Sequence, residues 1–228
     1  MNKLSAQPIL IMFVAMSMIP AGDTAGKLLS WGLGAHPIYV SWSRFFIGAL
    51  MVFPFIPKGT WALLKDIRVW GRALLMATGL SCIQIALSLE PIADVFAAFF
   101  IGPLVSYVLA TIFLRETITW QRTALIILGF IGVLIVVRPG SDAGVGLLWA
   151  VAAGTCYGAF LTASRWIAHL GTPIGLTFTQ LFISALVLAV LFIYMILASQ
   201  FKSFLQPLAL MTALPLTLIG VVLALMLF

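Results

Sequence analysis

The chain of 228 residues is 63% hydrophobic and only 8% charged, with a net charge of +6. Soluble domains average about 45–50% apolar and about 25% charged residues, so no soluble fold of this size could hide so much apolar surface. A mean hydropathy of +1.21 and a pI near 9.8 describe a polytopic membrane protein. Its basic residues fall in connections between apolar runs, not on the basic face that a nucleic-acid partner would require.

A helix needs about 20 mostly apolar residues to cross a hydrocarbon core of about 30 Å. An open sheet edge would leave backbone groups unpaired in lipid, so the spans must be helices. Eight segments qualify, at 8–29, 37–56, 72–89, 92–113, 119–137, 145–165, 173–199 and 207–228. The first follows Met1-Asn2-Lys3 and resembles a secretory leader, but apolar character resumes after Lys27, which favours a first transmembrane helix.

The first span carries Asp23 and Lys27 within AGDTAGK, residues 21–27. At 1.5 Å per residue, Asp23 lies about 22 Å along a helix starting near Pro8. That leaves it about 8 Å short of the far face. The second span enters from that face near Pro37 and places Arg44 about 10 Å along its own axis. The depths match, so neighbouring helices would form an Asp23–Arg44 pair, with Lys27 one turn from Asp23. Intramembrane charges normally face the protein interior or a water-filled path, which makes both candidates for a cavity or gate. Lys27 has two readings: a supporting member of this group, or the interfacial end of the helix with its ammonium snorkelling outward.

The connection at 57–71 carries Lys58, Lys65 and Arg68, with Arg72 next. The third span holds Cys82 and Gln84, and Glu90 and Asp94 flank the turn that follows. Asp94 can cap the fourth span and meet its positive end; an outer vestibule is its other reading. The fourth span contributes Pro103, Ser106 and Tyr107, and the sixth Cys156 and Tyr157. The two cysteines, both inside apolar runs, read as small core residues. Gln84, Ser106, Tyr107 and Tyr157 are the neutral polar candidates for substrate contact. Pro20, Pro103 and Pro215 each free a carbonyl four residues earlier, at Met16, Phe99 and Met211. Such kinks serve packing or line a cavity. Trp31, Trp42 and Trp120 lie near span ends, where aromatic belts form.

With the N-terminus cytoplasmic, the inner side collects Lys3, Lys58, Lys65, Arg68, Arg72, Arg115, Arg122 and Arg165. The outer side keeps Lys27, Arg138 and Lys202, which fixes the expected orientation.

Residues 36–50, HPIYVSWSRFFIGAL, align without gaps to 172–186, TPIGLTFTQLFISAL. The same shift of 136 aligns 73–89 with 209–225 at seven identities, and maps Gly22 onto Gly158. Small residues four apart, Gly22-x-x-x-Gly26 and Gly154-x-x-x-Gly158, let helices approach closely. The shift places Ala159, Ala163 and Gln180 where the first copy has Asp23, Lys27 and Arg44. A purely structural requirement would recur in both copies, so the charges point to function. Residues 1–140 read as a first five-helix repeat and 141–228 as the first three helices of a second. An odd helix number makes consecutive copies insert in opposite orientations, the construction of many secondary transporters, with the substrate site near the midplane. Eight helices of an expected ten suggest a piece of a longer protein over a natural eight-helix one.

Residues 91–140, PIADVFAAFFIGPLVSYVLATIFLRETITWQRTALIILGFIGVLIVVRPG, carry a more specific signature. The P-x-A-D opening at 91–94, PL at 103–104, FLRE at 113–116 and LGFIGVLIVVRPG at 128–140 resemble the EamA-like branch of the drug/metabolite transporter superfamily. The resemblance covers the first repeat and the start of the second. It implies ten helices in two inverted repeats, a central cavity and transport of small organic metabolites. Glu116, near the start of the fifth span, reads like Asp94, as a cap or a vestibule group on the cytoplasmic side, and is expected to be a structural family motif rather than a substrate contact.

The leading expectation is a secondary active transporter in a bacterial inner or plasma membrane, alternating access to a midplane cavity. A small metabolite is its partner, the bilayer its solvent, and protons a candidate coupling ion acting through Asp23. A membrane-embedded enzyme is disfavoured, because His36 and His169 lie in separate connections and neither HExxH nor D-x-x-D occurs. No cofactor or metal is expected, and no ATP-binding loop is present. The alternative is an inactive truncated product or a structural membrane subunit.

Overall fold

The computed structural model describes residues 6–117, 119–137 and 144–201, together with Pro207 and Met211. The described residues contain eight α-helices and no strand. Helix α1 spans Ala6–Gly32, α2 Pro37–Val52, α3 Ile67–Leu89, α4 Ile92–Phe99 and α5 Ile101–Phe113. They are followed by α6 at Trp120–Val137, α7 at Val145–Trp166 and α8 at Pro173–Phe201. Seven of the eight expected spans are present within a few residues of their predicted limits, and the span predicted at 207–228 lies outside the described residues.

The helix ends follow local chemistry. Chain reversal after α1 uses Gly34 at φ +65°, with the Ala35 amide bonding back to the Leu29 carbonyl at 3.2 Å. This is the pattern of a helix ended by a left-handed glycine. Pro37 opens α2, where its missing N–H costs nothing, and the His36 imidazole accepts from the Ile38 amide at 3.3 Å. Asp66 caps α3 by accepting from the Arg68 amide at 2.9 Å. Its carboxyl is held below the ordinary aspartate range chiefly by the side-chain hydrogen bond from Arg68.

The fourth span is not one helix. It breaks at Phe100 into α4 and α5, three residues ahead of Pro103. Without an N–H, Pro103 cannot bond the Phe99 carbonyl, and its ring crowds that same oxygen. The break is the cheaper solution. Pro20, by contrast, is accommodated inside an unbroken α1. Asp94 does not cap α4: Pro91 is the N-cap residue and makes no side-chain cap bond, so Asp94 sits in the first turn. There its carboxylate still faces the positive helix end.

The chain divides into two compact units, 1–185 and 186–228. In the first, α3 is the central helix. Cys82, Ile83, Ala86 and Leu87 from α3 pack with Val95 of α4 and Ala150 and Ala153 of α7. The distribution of side chains is that of a protein solvated by lipid. Buried positions are rich in small or polar residues, such as Ser41, Ala73, Ala77, Thr162, Thr179 and Ser184. Exposed ones include Phe46, Ile47, Leu50, Leu125, Leu128 and Ile135. Between helices in lipid there is little hydrophobic gain from association, so close packing and hydrogen bonds hold the bundle. Accordingly Ser41 Oγ donates to the Leu80 carbonyl of α3 at 3.3 Å, and Ser184 Oγ of α8 donates to the Ala73 carbonyl at 3.0 Å. In the second unit, residues 186–201 continue α8 with Val190, Leu191, Ile193 and Ile196 exposed. Five helical stretches among the described residues are long and apolar enough to cross a membrane, and the chain is an integral membrane protein.

Packing is close between α7 and the α4–α5 break. A Cβ built on Gly154 would lie 2.6 Å from the Phe99 carbonyl oxygen, the one Pro103 leaves without a helical donor. A Cβ on Gly158 would strike the Gly102 carbonyl and lie 2.9 Å from Val105 Cβ. Only glycine allows this approach.

Candidate functional site

Asp23 is buried at 3% exposure in the middle of apolar helices. Arg44 Nη1 of α2 donates to Asp23 Oδ1 at 2.5 Å, and Gln84 Nε2 of α3 donates to the same oxygen at 3.3 Å. The depth match expected from sequence is thus realised, and a third helix joins it. Arg44 is 30% exposed, so removing it would strand Asp23 at a cost toward or below the lower end of the roughly 3–5 kcal/mol of a fully buried pair.

The room for this cluster comes from α1. A Cβ on Gly22 would lie 3.2 Å from Arg44 Nη2, and one on Gly26 would lie 2.5 Å from Gln84 Oε1. The glycines flanking Asp23 therefore admit two polar side chains rather than a neighbouring backbone. Gln84 Oε1 is buried and has no hydrogen-bond partner among the described residues, so the amide is oriented by its donor side alone.

Asp23 and Arg44 open onto a cavity of about 480 Å³. Its remaining wall is mainly apolar and aromatic, with Pro20, Met76, Phe96, Phe99, Pro103 and Tyr157 among the residues that line it. The Tyr157 ring lies 5.2 Å from that of Phe99 and 6.0 Å from that of Phe160. Gln84 stands behind Asp23 and is not on this wall, so it supports the site and does not line it. An acid and a base set in an aromatic surround can orient a ligand carrying both charges, because each charge finds its opposite while the rings cover its apolar part.

Ser106 and Tyr107 line a different cavity, of about 720 Å³, together with Glu116, Leu125, Ile126, Leu161 and Arg165. Pro103 borders both. Ser106 Oγ and Thr162 Oγ1 lie 3.4 Å apart between α5 and α7, and Tyr107 Oη and Thr123 Oγ1 lie 2.7 Å apart between α5 and α6. Glu116 is therefore on a cavity wall.

Lys27 turns to the end of α3. Its ammonium donates to the Glu90 carbonyl at 2.7 Å and lies 5.0 Å over the Trp31 ring. Trp31 Nε1 in turn donates to the Ser88 carbonyl at 3.1 Å. Both side chains satisfy carbonyls at the C-terminal end of α3, where a cation is favoured. Sequence reasoning also missed Arg72, which it placed at the start of the third span among the inner-side basic residues. Arg72 is buried at 7% exposure, donates to the Leu176 carbonyl and lies 5.7 Å over the Phe160 ring. Its place six residues past the Asp66 cap was the available signal.

Residues 7–138 match the profile of the EamA-like transporter family. Two curated relatives are S-adenosylmethionine uptake transporters. The protein of Rickettsia bellii (strain RML369-C) is 32% identical over 125 residues, 54% of this chain and 42% of the relative. That of Rickettsia felis (strain ATCC VR-1525 / URRWXCal2) is 30% identical over 125 residues, with the same coverage of 54% and 42%. The chain thus spans less than half the length of the curated relatives it matches. No solved structure matches it.

Proposed function

The chain belongs to the EamA-like transporter family, and from that premise we propose that it is the substrate-binding part of a secondary active transporter for a small organic zwitterion. Family membership makes it a transporter component and not an enzyme. The observation that carries the proposal is the Asp23–Arg44 pair, steadied by Gln84 and set on the wall of an aromatic cavity.

S-adenosylmethionine, the substrate named for the relatives, has the matching chemistry. Its sulfonium and ammonium suit Asp23, its carboxylate suits Arg44, and its adenine suits the faces of Phe99 and Tyr157. Transport proceeds by alternating access at a midplane cavity between inverted repeats 1–140 and 141–228, with the N-terminus cytoplasmic. Protons are the coupling ion, bound and released at Asp23. In this cycle the substrate competes with Arg44 for the Asp23 carboxylate, so occupancy and opening of the pair are linked.

The test is uptake of radiolabelled S-adenosylmethionine by proteoliposomes holding the chain, with and without a pH gradient. Asp23→Asn and Arg44→Gln are each expected to reduce uptake at least about tenfold, a loss of about 1.4 kcal/mol of binding. Undiminished gradient-driven uptake in Asp23→Asn would overturn the coupling role.

A further inference from the structure

The larger cavity holds a second pair of opposite charges against an apolar wall, and nothing in the first site uses it. We propose that this cavity binds a small zwitterion in its own right, Arg165 taking the anionic end and Glu116 the cationic end, as a second station beside the Asp23 cavity. Its position on a transport path rests on the reading above; the binding itself does not.

The volume of about 720 Å³ lies within the range of about 300–1,000 Å³ typical of small-molecule sites. Arg165 Nη1 and Glu116 Oε1 are 3.6 Å apart, with side chains 54% and 36% exposed. That is longer than the roughly 2.7–2.9 Å of a charge-assisted hydrogen bond, and a partly exposed pair at this distance contributes little to stability. A ligand that offers each charge its complement can therefore compete with this contact. Glu116 follows the left-handed end of α5: Arg115, just before it, has φ +54° and is the only non-glycine residue with positive φ among the described residues, and the Glu116 amide bonds back to the Ala110 carbonyl at 3.4 Å. The hydroxyls of Ser106 and Tyr107 add neutral polar groups to the same wall.

The two cavities are separate yet adjoining. Tyr157 lines the first, whereas Leu161 and Arg165 line the second, about 6 and 12 Å further along α7. Pro103 is common to both.

Equilibrium binding of radiolabelled S-adenosylmethionine to the purified full chain in detergent tests the proposal. Two sites per chain are expected. Glu116→Gln and Arg165→Gln should each remove one site or weaken it roughly tenfold or more, whereas Glu116→Asp should retain it. Phenylalanine should displace the ligand from this site, and phenethylamine or phenylpropionate, which carry one charge each, should not. Thermal melting of each variant, and the first site surviving in it, reports intact folding. Retention of both sites in Glu116→Gln and Arg165→Gln overturns the proposal, as does a wild-type chain with no saturable site or with one site that Asp23→Asn abolishes. If Asp23→Asn leaves binding untouched while Glu116→Gln abolishes it, the second station stands and the Asp23 reading fails.

Discussion

Helices α1 and α7 carry the same spacing of small residues, Gly22-x-x-x-Gly26 and Gly154-x-x-x-Gly158, and the shift of 136 maps Gly22 onto Gly158. They use it for opposite ends. On α7 the glycines meet main-chain carbonyls of α4 and α5, which cannot yield. On α1 they meet the guanidinium of Arg44 and the amide of Gln84, the far ends of flexible side chains. One stripe locks two backbones together, and the other makes a pocket for polar groups. A spacing that reads identically in sequence thus packs backbone against backbone in one copy and makes room for a polar cluster in the other. What differs is what stands opposite.

The comparison predicts unequal costs for equal changes. Gly158→Ala should be the most damaging, because its methyl would overlap the Gly102 carbonyl with Val105 behind it. Overpacking of that kind costs typically about 1–3 kcal/mol and occasionally more. A drop of several degrees in melting temperature in detergent, or failure to fold, is expected; an unchanged melt would break the comparison on the α7 side. Arg44→Ala should come next. It strands Asp23, but Arg44 is 30% exposed, so the cost should fall toward or below the lower end of the roughly 3–5 kcal/mol for a fully buried pair. Adding Asp23→Asn should recover much of the melting temperature without recovering uptake. Recovery of neither would mean that Arg44 acts through packing alone.

Gly26→Ala should be milder in stability, below about 1 kcal/mol, since Gln84 can swing aside. Its effect should appear in ligand binding, because Asp23 then loses the Gln84 donor. A melt as damaged as that of Gly158→Ala would erase the distinction between the two stripes. The smallest effect belongs to Asp66, remote from both. Its folded pKa is depressed by Arg68, so its contribution is present above the unfolded value of about 3.9 and is lost as pH falls through the lower folded value. Asp66→Asn keeps the cap and should slightly flatten the acid limb of a melting-temperature profile, leaving ligand binding unchanged.

Depth along a helix was legible from the rise per residue alone, and it was enough to pair Asp23 with Arg44. Lateral neighbours were not. Gln84 was picked out as polar within a span, yet its bond to Asp23 depends on α3 lying beside α1, which no local pattern encodes. The same holds for Lys27, whose partner at Glu90 is 63 positions away. Pro103 announced a distortion, but its placement of the break at Phe100 depends on the oxygen that α7 covers. Glu116 and Arg165 were each visible as charges near span ends. Their joint wall, like the assignment of Ser106 and Tyr107 to one cavity and Tyr157 to the other, exists only once α5, α6 and α7 are assembled.

The contact between Gly154 and the Phe99 carbonyl also has a mechanical meaning. A broken helix is ordinarily a hinge, because the missing hydrogen bond lets its halves bend. Here the joint is seated against the bare backbone of α7, which leaves no slack for it to flex alone. Because Pro103 borders both cavities and Tyr157 and Arg165 ride on α7, a tilt of α7 must carry the joint with it. The break that Pro103 makes is thereby braced, and the two chambers meet at a seated joint rather than at a loose one.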